Sequence, residues 1–492
     1  DMMKSIFSKI LGRTNNLEKS FIIGNNPASY SDLLSKVSII GSELKKLGCN
    51  EYERVGICLN QGISYVAALL GVRKMGGIGV LMSLDWTDYE INRIISHSEA
   101  RFIISSEIKL GGKNPIRSKI IEGLNCVILE YDILQETNSN KEDAIMIYSS
   151  GTTGTPKGVV LSEKGISSNV RAVTDYLGLC SDDSSPVFTP TCYSFSLSQV
   201  LTHSWAGAAI LPVTTKLIFP MEILVGISKY RLTGVTGTAS AFRLLTDLEK
   251  SPKLQFDSIR YTMIGGTYYG KRLTELVKSK FSNARIINIY GCSENSPRIS
   301  YYYIEGNVGL SPNNYFSVGR NVKGTKIEIL NDKDKIASID EIGEITISGN
   351  SLMRGYWKDK KTTKKRLRNG RFYSGDLGFM DSNGLLYLTG RNDSIINVGN
   401  EKVSPEEVEQ VIIQIEGVEE AFIYGVQNLF LGEVVHADVI KIKDSNLTIE
   451  NILKFCRKNL SSYKIPKLIR FVDNIPKTQY GKIDRKKIIM ES

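Results

Sequence analysis

The stretch Ile145–Val160, IMIYSSGTTGTPKGVV, carries the densest chemical equipment in this 492-residue chain. It opens as an apolar run that reads as a buried strand and closes on a second one beginning at Val159 and Val160. Between them, Ser149–Lys157 is almost entirely Ser, Thr, Gly and Pro. Glycines at 151, 154 and 158 let the backbone turn tightly and expose its N–H groups. The hydroxyls of Ser149, Ser150, Thr152, Thr153 and Thr155 add donors, and Lys157 adds a positive charge. This is the equipment for cradling a polyphosphate. It is not a Walker loop, because no Gly-Lys-Ser/Thr closes it. A flexible Ser/Gly linker has a similar composition, but a linker needs neither a strand on each side nor a Pro-Lys-Gly at its end.

Two further stretches imitate other chemistries and fail. MIGGTYYGKR at 263–272 has a Walker-like spacing from Gly265 to Gly270-Lys271, yet Arg272 stands where a Mg²⁺-binding hydroxyl is required. GCSEN at 291–295 lacks the second glycine of a serine-hydrolase elbow, Asn295 taking its place.

The elements that must position these residues alternate. VGICL, ISYVAALLGVRKMG, IGVLMS, TDYEINRIISHSE and ARFIISS read as strand, helix, strand, helix, strand over 55–106, which predicts a parallel sheet covered by helices. Residues 108–142 read as a polar, irregular connection into the loop, and Glu163–Leu179 as a helix. IINIYG at 286–291 is a strand that delivers Tyr290, and SNG at 382–384 is a hairpin turn. Near the C-terminus, Ser404-Pro405 reads as a helix cap followed by a first-position proline.

The length exceeds one hydrophobic core and predicts two to four domains. Hydrophobic residues at 41% and charged residues at 23% are those of an ordinary globular protein. No apolar run reaches membrane-span length, and MMKSIFSKILGR reads as a short helix without a signal-peptide core. Seven cysteines without CxxC spacing predict free thiols in a reducing cytoplasm, and three scattered histidines make a His/Cys metal site unexpected. The net charge of +10 is concentrated: eight basic residues against one acidic over 358–371, and eleven against three from Lys454 onward. These runs read either as solvated helix faces or as an attraction to an anionic partner. Neither run interleaves aromatics as a nucleic-acid reader does.

SSGTTGTPKG resembles the phosphate-binding loop of the adenylate-forming superfamily, which includes acyl-CoA synthetases, luciferases and non-ribosomal peptide adenylation domains. IINIYGCSEN resembles its Tyr-Gly-x-Thr-Glu motif, with Ser293 in place of Thr. FYSGDLGFMDSNGLLYLTGR at 372–391 and IPKTQYGKIDRKKI at 475–488 resemble two later motifs, in family order. The resemblance implies an α/β fold: a large N-terminal domain, 1–392, of mixed and parallel sheets wrapped by helices with a β-barrel-like subdomain. A small α+β domain, 393–492, would rotate about a hinge at Asp393. ATP would be held by Ser149, Ser150, Gly151, Thr152, Thr153, Gly154, Thr155 and Lys157, with Gly265, Gly266, Tyr290, Gly291, Ser293, Asp376 and Arg391. The resemblance implies that Tyr290 stacks on adenine, Asp376 accepts from the ribose hydroxyls, and Glu294 ligates Mg²⁺. Lys482, Glu294 and Thr153 are the implied catalytic groups. Tyr193, Ser194, Gly266 and Thr267 would wall the acid pocket, and Gly399 would line the tunnel for the thiol.

The implied activity is a two-step ligation: a carboxylic acid and ATP give an acyl-adenylate and pyrophosphate, then the acyl group passes to a thiol. Coenzyme A is the expected acceptor, and a carrier-protein phosphopantetheine acting in trans is the alternative. Amino-acid-activating relatives place an Asp where Ser194 stands, and no acidic residue occurs from Ser184 to Lys216. A buried ammonium without a carboxylate is costly, so an acyl or aryl acid is expected over an amino acid. A non-catalytic AMP- or ATP-binding relative is the reading from another class, and it would have no use for Lys482.

Overall fold

The structure, a computed structural model, describes residues 5–135, 139–149, 157–213, 219–248, 253–266, 269–307, 309–310, 316–391, 394–398, 401–428 and 432–476. The strand–helix alternation predicted for 55–106 is present. Arg54–Cys58, Ile78–Leu81, Phe102–Ser105 and Asp143–Ser149 pair in parallel at the centre of an eight-stranded sheet. Helices Ile63–Lys74 and Asp88–Ser98 connect the first three. These strands are buried throughout, as a sheet covered on both faces requires. Thr87 caps the second helix, its side chain accepting from the Glu90 backbone while the Glu90 carboxylate accepts from Thr87. The Glu163–Leu177 helix and the short N-terminal helix Ile6–Leu11 also form.

One expectation is corrected. The connection over 108–142 is not irregular: Arg117–Ile121 and Cys126–Glu130 form an antiparallel pair that extends the sheet beyond Phe102–Ser105. Cys126–Glu130 is buried along its whole length, whereas Arg117–Ile121 is an exposed edge with only Ile121 inside. The polar edge strand masked the apolar run beside it.

A second sheet places Gly234–Thr238, Tyr261–Gly265 and Arg285–Gly291 in parallel, followed by antiparallel Arg298–Ile304. Thr236, Met263 and Ile287 are register partners and so share a face. On it, Met263, Ile287 and Ile289 pack with Val173 and Leu177 of the long helix, alongside Phe195 of helix Ser194–Ala206. The expected barrel-like part is a five-stranded antiparallel sheet built on Arg371–Met380. The C-terminal α+β part has its own five-stranded sheet and its own core, from Ile396 to Ile469. Ser404 and Pro405 open its first helix as predicted.

A buried ion pair joins the first sheet to its covering helix. Arg54 Nη2 lies 2.7 Å from Glu99 Oε2, with the two side chains 1% and 9% exposed. Lys358 reaches the other carboxylate oxygen. Removing one member of such a pair strands the other charge in a low dielectric. Glu99→Gln leaves both cations without their partner and is expected to cost roughly 3 kcal/mol, read as a lowered melting temperature.

Candidate active site

The phosphate-loop flanks are as the sequence predicts. Strands Asp143–Ser149 and Lys157–Ser162 pair antiparallel, with Ser149 opposite Lys157 and Tyr148 opposite Gly158, so the loop joins the ends of a hairpin. Ser150, Gly151, Thr152, Thr153, Gly154, Thr155, Thr267, Asp393, Gly399 and Lys482 lie outside the described residues.

The second sheet delivers the next group. Strand Arg285–Gly291 ends in Tyr290 and Gly291, and a 3₁₀ turn, Ser293–Asn295, carries Ser293 and Glu294. The chain then reverses into Arg298–Ile304 so closely that a Cβ on Gly291 would meet the Pro297 carbonyl oxygen at 2.2 Å. Only glycine fits there. Gly265 closes the neighbouring strand, and Gly266 follows with φ at +90°.

Three contacts tie this turn to the rest of the protein. The buried Tyr290 donates its hydroxyl to Asp376 Oδ2 at 2.5 Å. Arg391 Nε lies 3.5 Å from Asp376 Oδ1, the two residues being register partners on adjacent strands. Arg391 is half exposed, so its fork faces solvent as well as Asp376. The expected ring contact of Tyr290 with adenine is thus accompanied by a hydroxyl anchor to the carboxylate expected to bind ribose. Burial pushes the Tyr290 phenol well above its ordinary pKa, and the Asp376 charge adds to the shift. It remains a neutral donor.

Glu294 is held from two directions. Its Oε1 accepts the Tyr356 hydroxyl at 2.8 Å, and its carbonyl accepts the Met353 N–H at 2.7 Å. Tyr356 arrives because Gly355–Tyr356 pairs antiparallel with the outgoing strand of the loop hairpin, opposite Val160 and Val159. Burial, and then the Glu294 charge, raise the Tyr356 phenol's pKa. The sequence reading gave Tyr356 no role. Only the strand pairing, formed across nearly two hundred residues, places it here.

One residue of the expected acid pocket, Ser194, meets the adenylate motif. Tyr193 is the N-cap of helix Ser194–Ala206, and Ser293 Oγ donates to Ser194 Oγ at 2.9 Å. The adenylate motif and the expected pocket wall therefore touch. Among the described residues no group of three or more His, Cys, Asp or Glu side chains could hold a metal, and no helix is long and apolar enough to cross a membrane. The cysteines are free.

Comparison with known proteins identifies the family and the fold. The AMP-binding enzyme family matches residues 13–357, and the AMP-binding enzyme C-terminal domain matches 407–482. Oxalate–CoA ligase of Arabidopsis thaliana is 26% identical over 453 residues, 88% of this chain and 87% of that protein. The 2-succinylbenzoate–CoA ligase of Geobacillus kaustophilus is 28% identical over 469 residues, 94% and 93% of the two chains. Among solved structures, ATP-bound MatB of Rhodopseudomonas palustris superimposes with a TM-score of 0.83 at 20% identity, covering 99% of this chain and 98% of that one. The o-succinylbenzoate CoA synthetase of Bacillus subtilis, with an acyl-adenylate bound, gives 0.80 at 21% identity, covering 98% and 97%. The chain belongs to the AMP-binding enzyme family, within the adenylate-forming superfamily. It is an AMP-forming acid–thiol ligase.

Asp376 is the test of the nucleotide side of the site. Charged hydrogen bonds contribute about 1.5–3 kcal/mol each. Asp376→Ala is expected to weaken ATP use by roughly 10- to 100-fold, by the same factor whichever acid is supplied. The KM for ATP at saturating acid measures it. A loss that varies with the acid would place Asp376 in the acid pocket instead.

Proposed function

We propose that the chain activates a carboxylic acid with Mg·ATP and transfers the acyl group to coenzyme A. In the first step a carboxylate oxygen attacks the α-phosphorus, the bond to the bridging oxygen of pyrophosphate breaks, and pyrophosphate leaves. In the second the coenzyme A thiol, losing its proton, attacks the acyl carbon and AMP leaves. The observation that carries this reading is the convergence of Tyr290, Glu294, Tyr356, Asp376 and Arg391, drawn from separate strands, beside the loop hairpin.

The residues fit the substrates. Glu294 is a hard oxygen donor standing without a cluster of other ligands, which suits Mg²⁺, an ion that keeps water and phosphate oxygens and takes one or two carboxylates. The metal would neutralise charge on the transferring phosphoryl group. Tyr356 would hold Glu294 in place for it. Asp376 would accept from the ribose hydroxyls, with Tyr290 and Arg391 fixing its orientation, and residues 149–157 would cradle the phosphates. Tyr193, Ser194, Gly266 and Thr267 would bound the acid. The chemistry is positioning and charge stabilisation, with no protein nucleophile.

Domains 1–392 and 393–492 would turn about Asp393 between the two steps. Lys482 would serve the first, and the Gly399 loop would admit the thiol in the second. One contact must break in such a turn: Arg243 Nη1 of helix Ala239–Asp247 pairs at 2.7 Å with Glu420 Oε1 on strand Val418–Asn428 of the small domain. Coenzyme A is favoured over a carrier protein because the relatives matched are named as CoA ligases. Those names span oxalate, 2-succinylbenzoate, long-chain fatty acids and 4-coumarate, so they do not select the acid.

ATP–pyrophosphate exchange against short, long and aryl carboxylic acids and amino acids tests the first step, and thioester formation with coenzyme A the second. Lys482→Ala is expected to lower exchange by about 100-fold or more, as removal of a transition-state donor does, while sparing thioester formation from a supplied acyl-adenylate. Equal loss of both activities would refute the division of roles.

A further inference from the structure

Arg298 begins the strand that returns from the adenylate motif, opposite Gly291. Its backbone is clamped by one side chain: Asn169 Oδ1 accepts from the Arg298 N–H at 3.1 Å, and Asn169 Nδ2 donates to its carbonyl at 2.7 Å. The guanidinium is 3% exposed and lies over the Phe195 ring, 4.5 Å from its centroid. Phe195 directly follows Ser194, whose hydroxyl accepts from Ser293. The charge therefore sits immediately behind the contact that joins the adenylate motif to the pocket helix.

That charge has no anion. Tyr176 and the Phe195 ring are its polar and π neighbours, and among the described residues no carboxylate pairs with it. Its Nε has no hydrogen-bond partner. Among the described residues, the other arginine side chains of comparable enclosure have one: Arg54 meets Glu99, and Arg73 meets Glu163. A guanidinium carries five donors and stays charged in proteins. Burying it against a phenol and an aromatic face recovers only part of its hydration. Burial accordingly pulls its pKa down.

Two other unpartnered polar atoms belong to the same layer. Ser198 Oγ is buried without a partner, one helical turn beyond Ser194. Thr236 Oγ1 is likewise buried and unpartnered, and Thr236 is the register partner of Met263, on the sheet face that packs toward this helix. An apolar acid would leave all three unsatisfied.

We propose that Arg298 is a specificity determinant for the acid: the substrate is a dicarboxylic acid, whose second carboxylate pairs with the Arg298 guanidinium while the first is adenylated. Ser198 and Thr236 supply hydroxyl donors along the chain between the two carboxylates. The inference rests on the ligase reading above and narrows its substrate class.

The test compares acids of matched skeleton: succinate with butanoate, glutarate with pentanoate, phthalate with benzoate. Wild-type exchange is expected to favour at least one dicarboxylate over its partner by roughly tenfold or more, the value of one charged hydrogen-bonded pair. In Arg298→Leu that ratio falls to one or below through the acid's KM, the KM for ATP is unchanged, and Arg298→Lys keeps part of the preference. The ligand-free Arg298→Leu protein is expected to melt no lower than wild type, because the change removes an uncompensated charge. Exchange with monocarboxylates at equal or better rates, and a ratio unmoved by Arg298→Leu, would overturn the inference and leave the ligase reading intact. Exchange with no acid counts against the ligase reading. Melting then decides the inference: stabilisation of wild type by a dicarboxylate that is lost in Arg298→Leu supports it, and its absence overturns it.

Discussion

The reversal between Gly291 and Arg298 is the constraint on which the site depends. Two backbones approach there too closely for any side chain at 291, and Asn169 holds the far arm by both its donor and its acceptor. From this one turn, four side chains reach three other elements of the protein. Tyr290 reaches Asp376, Glu294 meets Tyr356, Ser293 meets Ser194, and Arg298 lies over Phe195. The partners lie on three different elements, two strands and the helix Ser194–Ala206, so the turn fixes the relative placement of the proposed nucleotide, metal and acid sites together. A shift of the turn would move all of them. That is the kind of preorganisation a reaction without a protein nucleophile requires.

What the sequence shows clearly is what local chemistry dictates. A loop of small hydroxylated residues between two apolar runs is legible because glycine, threonine and proline have few other uses at that density, and the flanking strands form as read. Capping also reads directly: Thr87 and Ser404 open helices because their side chains accept from the orphan N–H groups of the first turn. The strands at 117–130 were hidden because one of them is an exposed edge whose polarity is that of a loop. Tyr356 and Arg298 were hidden for a different reason. Tyr356 meets Glu294 through a pairing between distant strands, and Arg298 meets Phe195 on a helix about a hundred residues earlier, so nothing within a few residues of either reports the partner.

The uneven charge resolves partly into structure. Helix Lys360–Arg366 buries none of its residues, as the solvated-face reading of the basic run holds, yet Lys358 at the head of that run is an internal partner of Glu99. Its ammonium, together with Arg54, loads two cations on one buried carboxylate. Arg368 and Arg371 pair with Asp334 and Glu328, and Arg366 donates to the Tyr373 carbonyl, whereas the lysines of the helix stay in solvent. Buried and exposed cations of one short segment thus act in different ways, and a count of lysines does not separate them.

Asp376 and Arg391, proposed to bind the nucleotide, also stand next to the proposed junction between the two domains. They face each other across adjacent strands, and Arg391 is the last residue of its strand. The small domain's sheet begins shortly after, at Ile396. The proposed rotation of that domain would be absorbed between these points, and the strand that carries Arg391 would be its fixed arm. A bound nucleotide that engages Asp376 and Arg391 would stiffen that arm, and its departure as AMP would release it. On that proposal chemistry and domain position would be linked through backbone rather than through a signal passed across the core. The Arg243–Glu420 pair sets the opposing condition, because its two charges are on different domains and one of them is nearly buried. Separating them would expose a carboxylate that Arg243 compensates here, so this conformation has an electrostatic hold that the proposed turn would have to overcome.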